Sequence, residues 1–339
     1  MDQLSNHAYL ELWQALGRQL DGIADQAGLG AALLNLREHQ VQSGFIQDDL
    51  SEIQRFCLPC PIRPERSFSA QYNPARARRF KGAGIVPAAA PDQAVNGDCF
   101  LCAENIWWQH QGVEAGYHLR AAAGRYTAWM NPFPLLPGHT VIASRAHWPQ
   151  HWQTPGALSL TELVEDLAEL AGLLPDWITF YNGVGAGASI PHHLHFHAMP
   201  RAPGYELMPL EAAGLRCRES GRVELDYPMS FMHWAGDPAR VRDQALAWLG
   251  EWQQGSGAEA DATANIIACT RTGSAGLDLY FIPRHQRRSR AEGLAGVIGG
   301  FEALGEIVCS SSEDLERLKS GAVDYAAVAG LLRQVSVAF

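Results

Sequence analysis

Lysine is nearly absent: Lys81 and Lys319 are the only two in 339 residues. A protein that grips nucleic acid or an anionic membrane needs a basic footprint, and the formal net charge of -10 argues against both partners. Any clamp on a phosphate must come from arginine, backbone N–H groups or helix ends. Also missing is an uninterrupted apolar run of membrane-spanning length. Met1-Asp2-Gln3-Leu4-Ser5-Asn6-His7 has neither the basic nor the apolar region of an export signal. A soluble cytoplasmic protein is expected, with no membrane partner. The seven cysteines are odd in number. That fits a reducing compartment, where Cys-x-x-Cys serves metal or redox chemistry rather than a disulfide.

The length suits two modest domains, or one domain with a pseudo-repeat. Residues 6–56 carry helical periodicity, with Leu10, Trp13, Leu16 and Leu20, then Leu29, Leu33 and Leu36, at spacings that put them on one face. A packing helix is expected there. Next come Cys57-Leu58-Pro59-Cys60, a strand starting at Phe68, basic Arg76, Arg78, Arg79 and Lys81, and a Gly/Ala/Pro stretch through Pro91 that reads as a mobile surface loop. Strands are expected over 125–130, 140–143 and 178–181, and a helix over 159–173 with Leu160, Leu163, Leu167 and Leu170 on one stripe. Beyond Pro203 the composition reads as loops up to a helix over 238–253, with Gly255-Ser256-Gly257 as a linker or hairpin tip. Residues 264–290 then repeat the strand, glycine turn, strand and basic end of 125–147, which suggests a duplication.

The most informative stretch is His193-Leu194-His195-Phe196-His197. On a strand, side chains at i, i+2 and i+4 share a face. The three histidines then point one way while Leu194, Phe196 and Ala198 enter a core. A neutral imidazole is both a metal ligand and a nucleophile near pH 7, and both readings stand beside the plain one of a half-exposed histidine-rich strand. His192 is expected to be exposed or on the opposite face. Cys217, Cys269 and Cys309 read as ordinary buried thiols.

These residues resemble the histidine-triad superfamily. The branch in question holds galactose-1-phosphate uridylyltransferase, diadenosine tetraphosphate phosphorylase and the GDP-hexose phosphorylases. The likeness covers residues 68–201, with a weaker echo over 264–318. It rests on His-x-His-x-His, on Asn131-Pro132-Phe133-Pro134-x-x-Pro137-Gly138-His139-Thr140-Val141-Ile142, and on Asn182 eleven residues before His193. Phe68-x-x-Gln71-x-Asn73-x-x-Arg76 and Ile282-Pro283-Arg284 resemble strands of the phosphorylases. The implied fold is α+β and HIT-like, with two pseudo-repeated, mostly antiparallel sheets flanked by helices. Residues 1–60 would form an N-terminal helical extension, 61–205 the catalytic half, and 206–339 a second half without the triad.

The resemblance implies an enzyme, a nucleotidyltransferase of the phosphorylase type. His195 would be the nucleophile toward the α-phosphorus of a nucleotide, and His197 would donate to phosphate oxygens or the leaving group. Asn131, Asn182, Gly187, Ser189, Arg76 and Gln71 would bind substrate. Cys99, Cys102, His147 and His193 would form a closed, structural zinc site. A four-cysteine site using Cys57 and Cys60 with Cys99 and Cys102 is the competing arrangement. Implied partners are a nucleotide or nucleotide-sugar, inorganic phosphate or a sugar phosphate as acceptor, and a second copy in a homodimer. The transferases usually hold glutamine at the third triad position. Here it is His197, as in the hydrolases, so a hydrolase is the first rival and a non-catalytic nucleotide or zinc sensor the second.

Overall fold

The computed structural model describes residues 6–46, 50–81, 94–97, 99–109, 114–220, 227–273, 275–292 and 296–338. The Gly/Ala/Pro stretch expected to be mobile falls almost wholly outside them, as do the side chains of Arg78, Arg79 and Lys81. The N-terminal periodicity resolves into two helices, α1 (Asn6–Ala27) and α2 (Leu29–Gln42). They are separated at Gly28, whose φ of 87° lies in the region that favours glycine. Trp13, Leu16, Leu20, Leu33 and Leu36 are buried and Leu29 is half-buried, whereas Leu10 is exposed. The helical pattern ends before residue 54, where strand β1 (Gln54–Pro59) begins and pairs antiparallel with β2 (Ser67–Tyr72).

After α3 (Ala103–Gln109) the chain lays down β3 (Tyr117–His118), β4 (Tyr126–Met130), β5 (Thr140–Ser144), α4 (Leu160–Leu173), β6 (Trp177–Asn182) and β7 (His195–Pro200). The α4 start is written in the sequence: the Ser159 side chain accepts from the Glu162 N–H, and the Glu162 carboxylate accepts from the Ser159 N–H. Its stripe of Leu160, Leu163, Leu167 and Leu170 is buried.

The second half comprises α5 (Pro209–Ser220), β8 (Met232–Gly236), α6 (Pro238–Gln254), β9 (Ala262–Thr270), β10 (Leu277–His285), α7 (Gly300–Ala303), β11 (Glu306–Cys309), α8 (Ser312–Lys319) and α9 (Tyr325–Val335). The stretch after Pro203 is therefore helical in part, because Leu210 and Ala213 of α5 find apolar partners beneath them. Gly255-Ser256-Gly257 is not a free linker. It forms a short 3-10 turn in which Gly257 packs so closely on Trp252 that a Cβ would lie 2.5 Å from the indole.

The two halves meet edge to edge in one eight-stranded sheet, ordered β3-β4-β5-β7-β6-β9-β10-β8 and antiparallel throughout. The seam is β6 against β9, with Asn182 opposite Asn265. A small sheet, β1-β2-β11, lies to one side, its β2–β11 pair parallel. Strands β4, β6 and β9 are buried along their whole length, as expected of strands covered on both faces. On β7, Phe196 and Ala198 enter the core under α4, which leaves His195 and His197 on the opposite face. No helix among the described residues is long and apolar enough to cross a membrane.

Candidate active site

Strand β7 begins at His195, so His193 belongs to the approach rather than to the ladder. Both are buried, whereas His197 is half-buried. Gln150 fixes the start of the strand: its Oε1 accepts from the His195 N–H at 2.7 Å, and its Nε2 donates to the carbonyls of His195 at 3.0 Å and Asn182 at 2.7 Å.

The ring nitrogens of His195 have distinct roles. Nδ1 lies 2.9 Å from the His193 carbonyl, which can only accept, so Nδ1 carries the proton and Nε2 the lone pair. Burial pushes the imidazole down to about pKa 4 and keeps it neutral. The result is an uncharged, pre-oriented nitrogen base. A similar argument reaches His197 through His139. The Leu135 N–H donates to His139 Nδ1 at 3.2 Å, so neutral His139 carries its proton on Nε2, which lies 3.1 Å from His197 Nδ1. Neutral His197 then bears its N–H on Nε2. Phe180 stacks on the His197 ring with centroids 4.9 Å apart and holds its plane.

Two adjoining spaces open on these histidines. An apolar cavity of about 410 Å³ is walled by Phe45, Phe100, Trp129, Met130 and Ile190 and reaches both His195 and His197. A polar recess of about 70 Å³ holds Arg76, His139, Asn182, Glu302 and, again, His197. Asn131, Gly187 and Ser189 border both. A third cleft, about 500 Å³, lies beside β1, β2 and α5 and contains none of the histidines.

The structure thus brings together seven of the eight residues expected to touch substrate or reacting groups. Asn131 Oδ1 accepts from the Phe133 N–H and shapes the turn between β4 and β5. Arg76 donates to the Phe133 carbonyl at 2.6 Å from the recess wall. Gly187 has φ 107°, and a Cβ there would lie 2.5 Å from the Gly299 Cα, so the glycine turn presses directly against the second half. Gln71 is set back. It is fully buried and donates to the Leu135 carbonyl at 3.0 Å, which steadies the segment that holds His139.

His139, Gln150 and Arg284 carry weight that the sequence reading did not assign to them. Arg284, fully buried, donates to Asn265 Oδ1 at 2.7 Å and to the Ile298 carbonyl at 2.9 Å. Asn265 in turn donates to Asn182 Oδ1 at 2.9 Å, which also accepts from the Gly300 N–H at 2.7 Å. His139 stood inside a motif already noticed. Only the fold turns it toward His197.

Beside the strand lies a separate cluster. The ligand atoms of Cys99, Cys102, His147 and His193 all lie within 4.8 Å of one another. Individual separations are 3.3 Å from Cys99 Sγ to His193 Nδ1, 3.7 Å from Cys102 Sγ to the same nitrogen, and 3.2 Å from Cys102 Sγ to His147 Nδ1. Ligands of a tetrahedral ion with bonds of about 2.0–2.3 Å sit roughly 3.3–3.8 Å apart, so the donor set fits a metal. His193 Nε2 donates to the Ser144 carbonyl at 2.8 Å, which leaves Nδ1 as the donor atom. Hydrogen bonding from the Cys102 thiol favours the Cys99 thiolate. Cys57 and Cys60 lie on and just after β1 and have no place in this group, which sets aside the four-cysteine arrangement. His192 is exposed and stacks on His147 at 5.8 Å. Cys269 and Cys309 are buried and Cys217 is half-buried.

A family described as a domain of unknown function (DUF4922) matches residues 47–200. No curated protein matches the sequence at a significant level. Among solved structures, the yeast Ap4A phosphorylase Apa2 in complex with AMP is similar over 89% of this chain and 97% of its own, at 17% identity and a TM-score of 0.52. The same yeast enzyme in complex with Ap4A gives 18% identity, the same coverage of both chains and a TM-score of 0.53. The chain therefore shares the α+β fold of these yeast phosphorylase structures, the fold that the sequence motifs implied.

Proposed function

We propose that the chain is a nucleotidyltransferase of the phosphorylase type. It would cleave a nucleoside-diphosphate sugar or a dinucleoside polyphosphate through a nucleotide transiently bonded to His195. The observation that carries this reading is the neutral His195 ring, its lone pair on Nε2 by virtue of the His193 carbonyl, in the wall of a nucleotide-sized cavity. The shared fold with an enzyme solved in complex with AMP and with Ap4A supports a nucleotide as the occupant.

In this reading the apolar cavity takes base and ribose and the polar recess takes the phosphates. The His195 Nε2 lone pair attacks the α-phosphorus, and the leaving group departs with the electrons of the broken P–O bond. The N–H on His197 Nε2, its ring oriented by His139, would hydrogen-bond to that group, which leaves as a phosphate anion and needs no proton. Asn182, Ser189, Arg76 and the N–H groups of the glycine turn supply donors where charge accumulates. An acceptor oxygen then attacks the same phosphorus and frees His195. With inorganic phosphate the product is a nucleoside diphosphate, and with water a monophosphate.

Zinc is the metal that suits two thiolates and two imidazoles. Cys99, Cys102, His147 and His193 would hold it with no open position. When bound it would act structurally, tying the segment before α3 to the approach of β7. The odd number of cysteines supports a cytoplasmic setting.

One observation favours the hydrolase as a second reading: the third triad residue is a titratable histidine coupled to another histidine at 3.1 Å, an arrangement able to assist water. The test is a panel of nucleoside-diphosphate sugars and dinucleoside polyphosphates, with and without inorganic phosphate, followed by product analysis and intact mass. Diphosphate product that requires phosphate supports the phosphorylase, and monophosphate without it supports the hydrolase. Absence of product and adduct, with His195→Ala binding nucleotide as well as the parent, would leave only a sensor.

A further inference from the structure

The turn between β4 and β5 carries Asn131 and His139 into the site, and within it stand Pro132, Pro134 and Pro137. Each proline removes a backbone N–H. The turn is tied to itself at its ends, where the Asn131 N–H donates to the His139 carbonyl at 2.8 Å and the His139 N–H to the Leu136 carbonyl at 3.1 Å. Phe133 and Leu135 are buried, so the carbonyls of this stretch need donors from elsewhere.

Strand β2 and the residues just after it supply those donors in register. Arg76 Nη1 donates to the Phe133 carbonyl at 2.6 Å, Asn73 Nδ2 to the Pro134 carbonyl at 3.0 Å and Gln71 Nε2 to the Leu135 carbonyl at 3.0 Å. Three side chains grip three consecutive peptides. Asn73 and Gln71 are fully buried, and each is held in turn. Asn73 Nδ2 also donates to Gln71 Oε1 at 3.4 Å, and the Asn73 N–H donates to the Cys309 carbonyl of β11 at 2.8 Å. Gln71 Nε2 donates as well to the Tyr205 hydroxyl at 3.2 Å, and that hydroxyl donates to Glu306 of β11 at 3.3 Å. The small sheet is the frame of this grip.

The middle peptide has the chemical consequence. A trans peptide points its C=O and N–H in opposite directions, so the unit joining Pro134 to Leu135 has Asn73 on one side and His139 on the other. Its carbonyl accepts from Asn73, and its N–H donates to His139 Nδ1 at 3.2 Å. A donor there leaves no room for a proton on that nitrogen. With the peptide released, the two rings, 3.1 Å apart, have a second arrangement in which His139 carries its proton on Nδ1 and His197 donates from Nδ1 to His139 Nε2. His197 Nε2 then offers a lone pair where the leaving group needs a donor.

We propose that Asn73 is a positioning residue: by holding the peptide between Pro134 and Leu135 it fixes the tautomer of His139 and, through it, the proton on His197 Nε2. The consequence for turnover rests on the nucleotidyl-transfer reading above, whereas the tautomer does not.

The test is nitrogen NMR of the full chain carrying isotope-labelled histidine, in mildly alkaline buffer where imidazole is neutral. His139→Gln and His197→Gln assign the two rings. In the parent both are expected to carry the proton on Nε2. In Asn73→Ala the ratio of the two arrangements is expected to move about 10-fold toward protons on Nδ1, as for one hydrogen bond lost, while the His195 signal stays in place. With a substrate that turns over, kcat is expected to fall about 10-fold and nucleotide binding to stay within about 2-fold of the parent. A parent with either ring protonated on Nδ1 overturns the proposal, and so does an unchanged ratio in Asn73→Ala. Melting curves check folding. If Asn73→Ala does not fold, Asn73→Ser, whose hydroxyl is one bond shorter than the amide, replaces it under the same criterion, and the parent spectrum decides independently. If no substrate turns over, the nucleotidyl-transfer reading falls while the ring signals still judge Asn73.

Discussion

In the half built from β3 to β7, His195 and His197 line a cavity. In the half built from β8 to β10, Asn265 and Arg284 turn their polar atoms to the protein itself. Both sets of strands belong to one sheet, yet a buried histidine borders the cavity in the first, while a buried arginine braces a seam in the second. The Arg284 guanidinium is pushed down to about pKa 10 by burial, still far above neutrality, so it enters the core charged. Its return is order at a distance: it holds Asn265, which holds Asn182 and, through it, the Gly300 N–H. The comparison teaches that β8 to β10, which lack the triad, serve as a buttress for the strands that carry it.

The sharpest way to break this comparison is His195→Ala. Product formation and any nucleotidyl adduct are expected to fall by about 10³-fold or more, as for loss of a covalent nucleophile. The melting midpoint should move little. Turnover and intact mass check this, and residual activity near the parent level would remove His195 from the chemistry.

Cys102→Ser probes the cluster beside the strand. It is expected to lower bound zinc, read by elemental analysis, and to lower the melting midpoint on the order of 10 °C. An unchanged metal content would mean that the four residues do not hold an ion together. Arg284→Leu tests the buttress. It leaves Asn265 Oδ1 and the Ile298 carbonyl without their donor and is expected to cost about 2–4 kcal/mol, read in urea, with a loss of activity smaller than that of His195→Ala. A variant as stable as the parent would show that the second half braces the seam by other means. The smallest effect belongs to Ser159→Ala at the start of α4, about 1 kcal/mol, or a few degrees in the melting midpoint. It should leave turnover intact.

Much of the site was legible from the chain because local periodicity carries it. Alternation of His195, Phe196, His197 and Ala198 decides which side chains share a face, and Cys99-x-x-Cys102 places two sulfurs on one turn. Gly187 was named through the resemblance, while its close approach to Gly299 is a contact that only the fold creates. Gln71 shows the limit. Its strand adjoins the site as expected, but whether an inward side chain meets the cavity or the segment behind it depends on what packs opposite, and here that is the Leu135 carbonyl. His139 and Gln150 show the same limit from the other direction, since each is an unremarkable polar residue until a distant segment comes within about 3 Å of it.

The sequence alone determined the alternation of the histidine strand, the Cys99-x-x-Cys102 pair and the apolar stripe of α4, because each rests on short-range spacing. Only the tertiary structure decided that β6 pairs with β9, that His139 fixes the tautomer of His197, and that His147 and His193 come to Cys99 and Cys102. Those facts depend on pairings across tens to hundreds of residues. No local pattern encodes them, because register at a seam and burial of a side chain are properties of the packed whole.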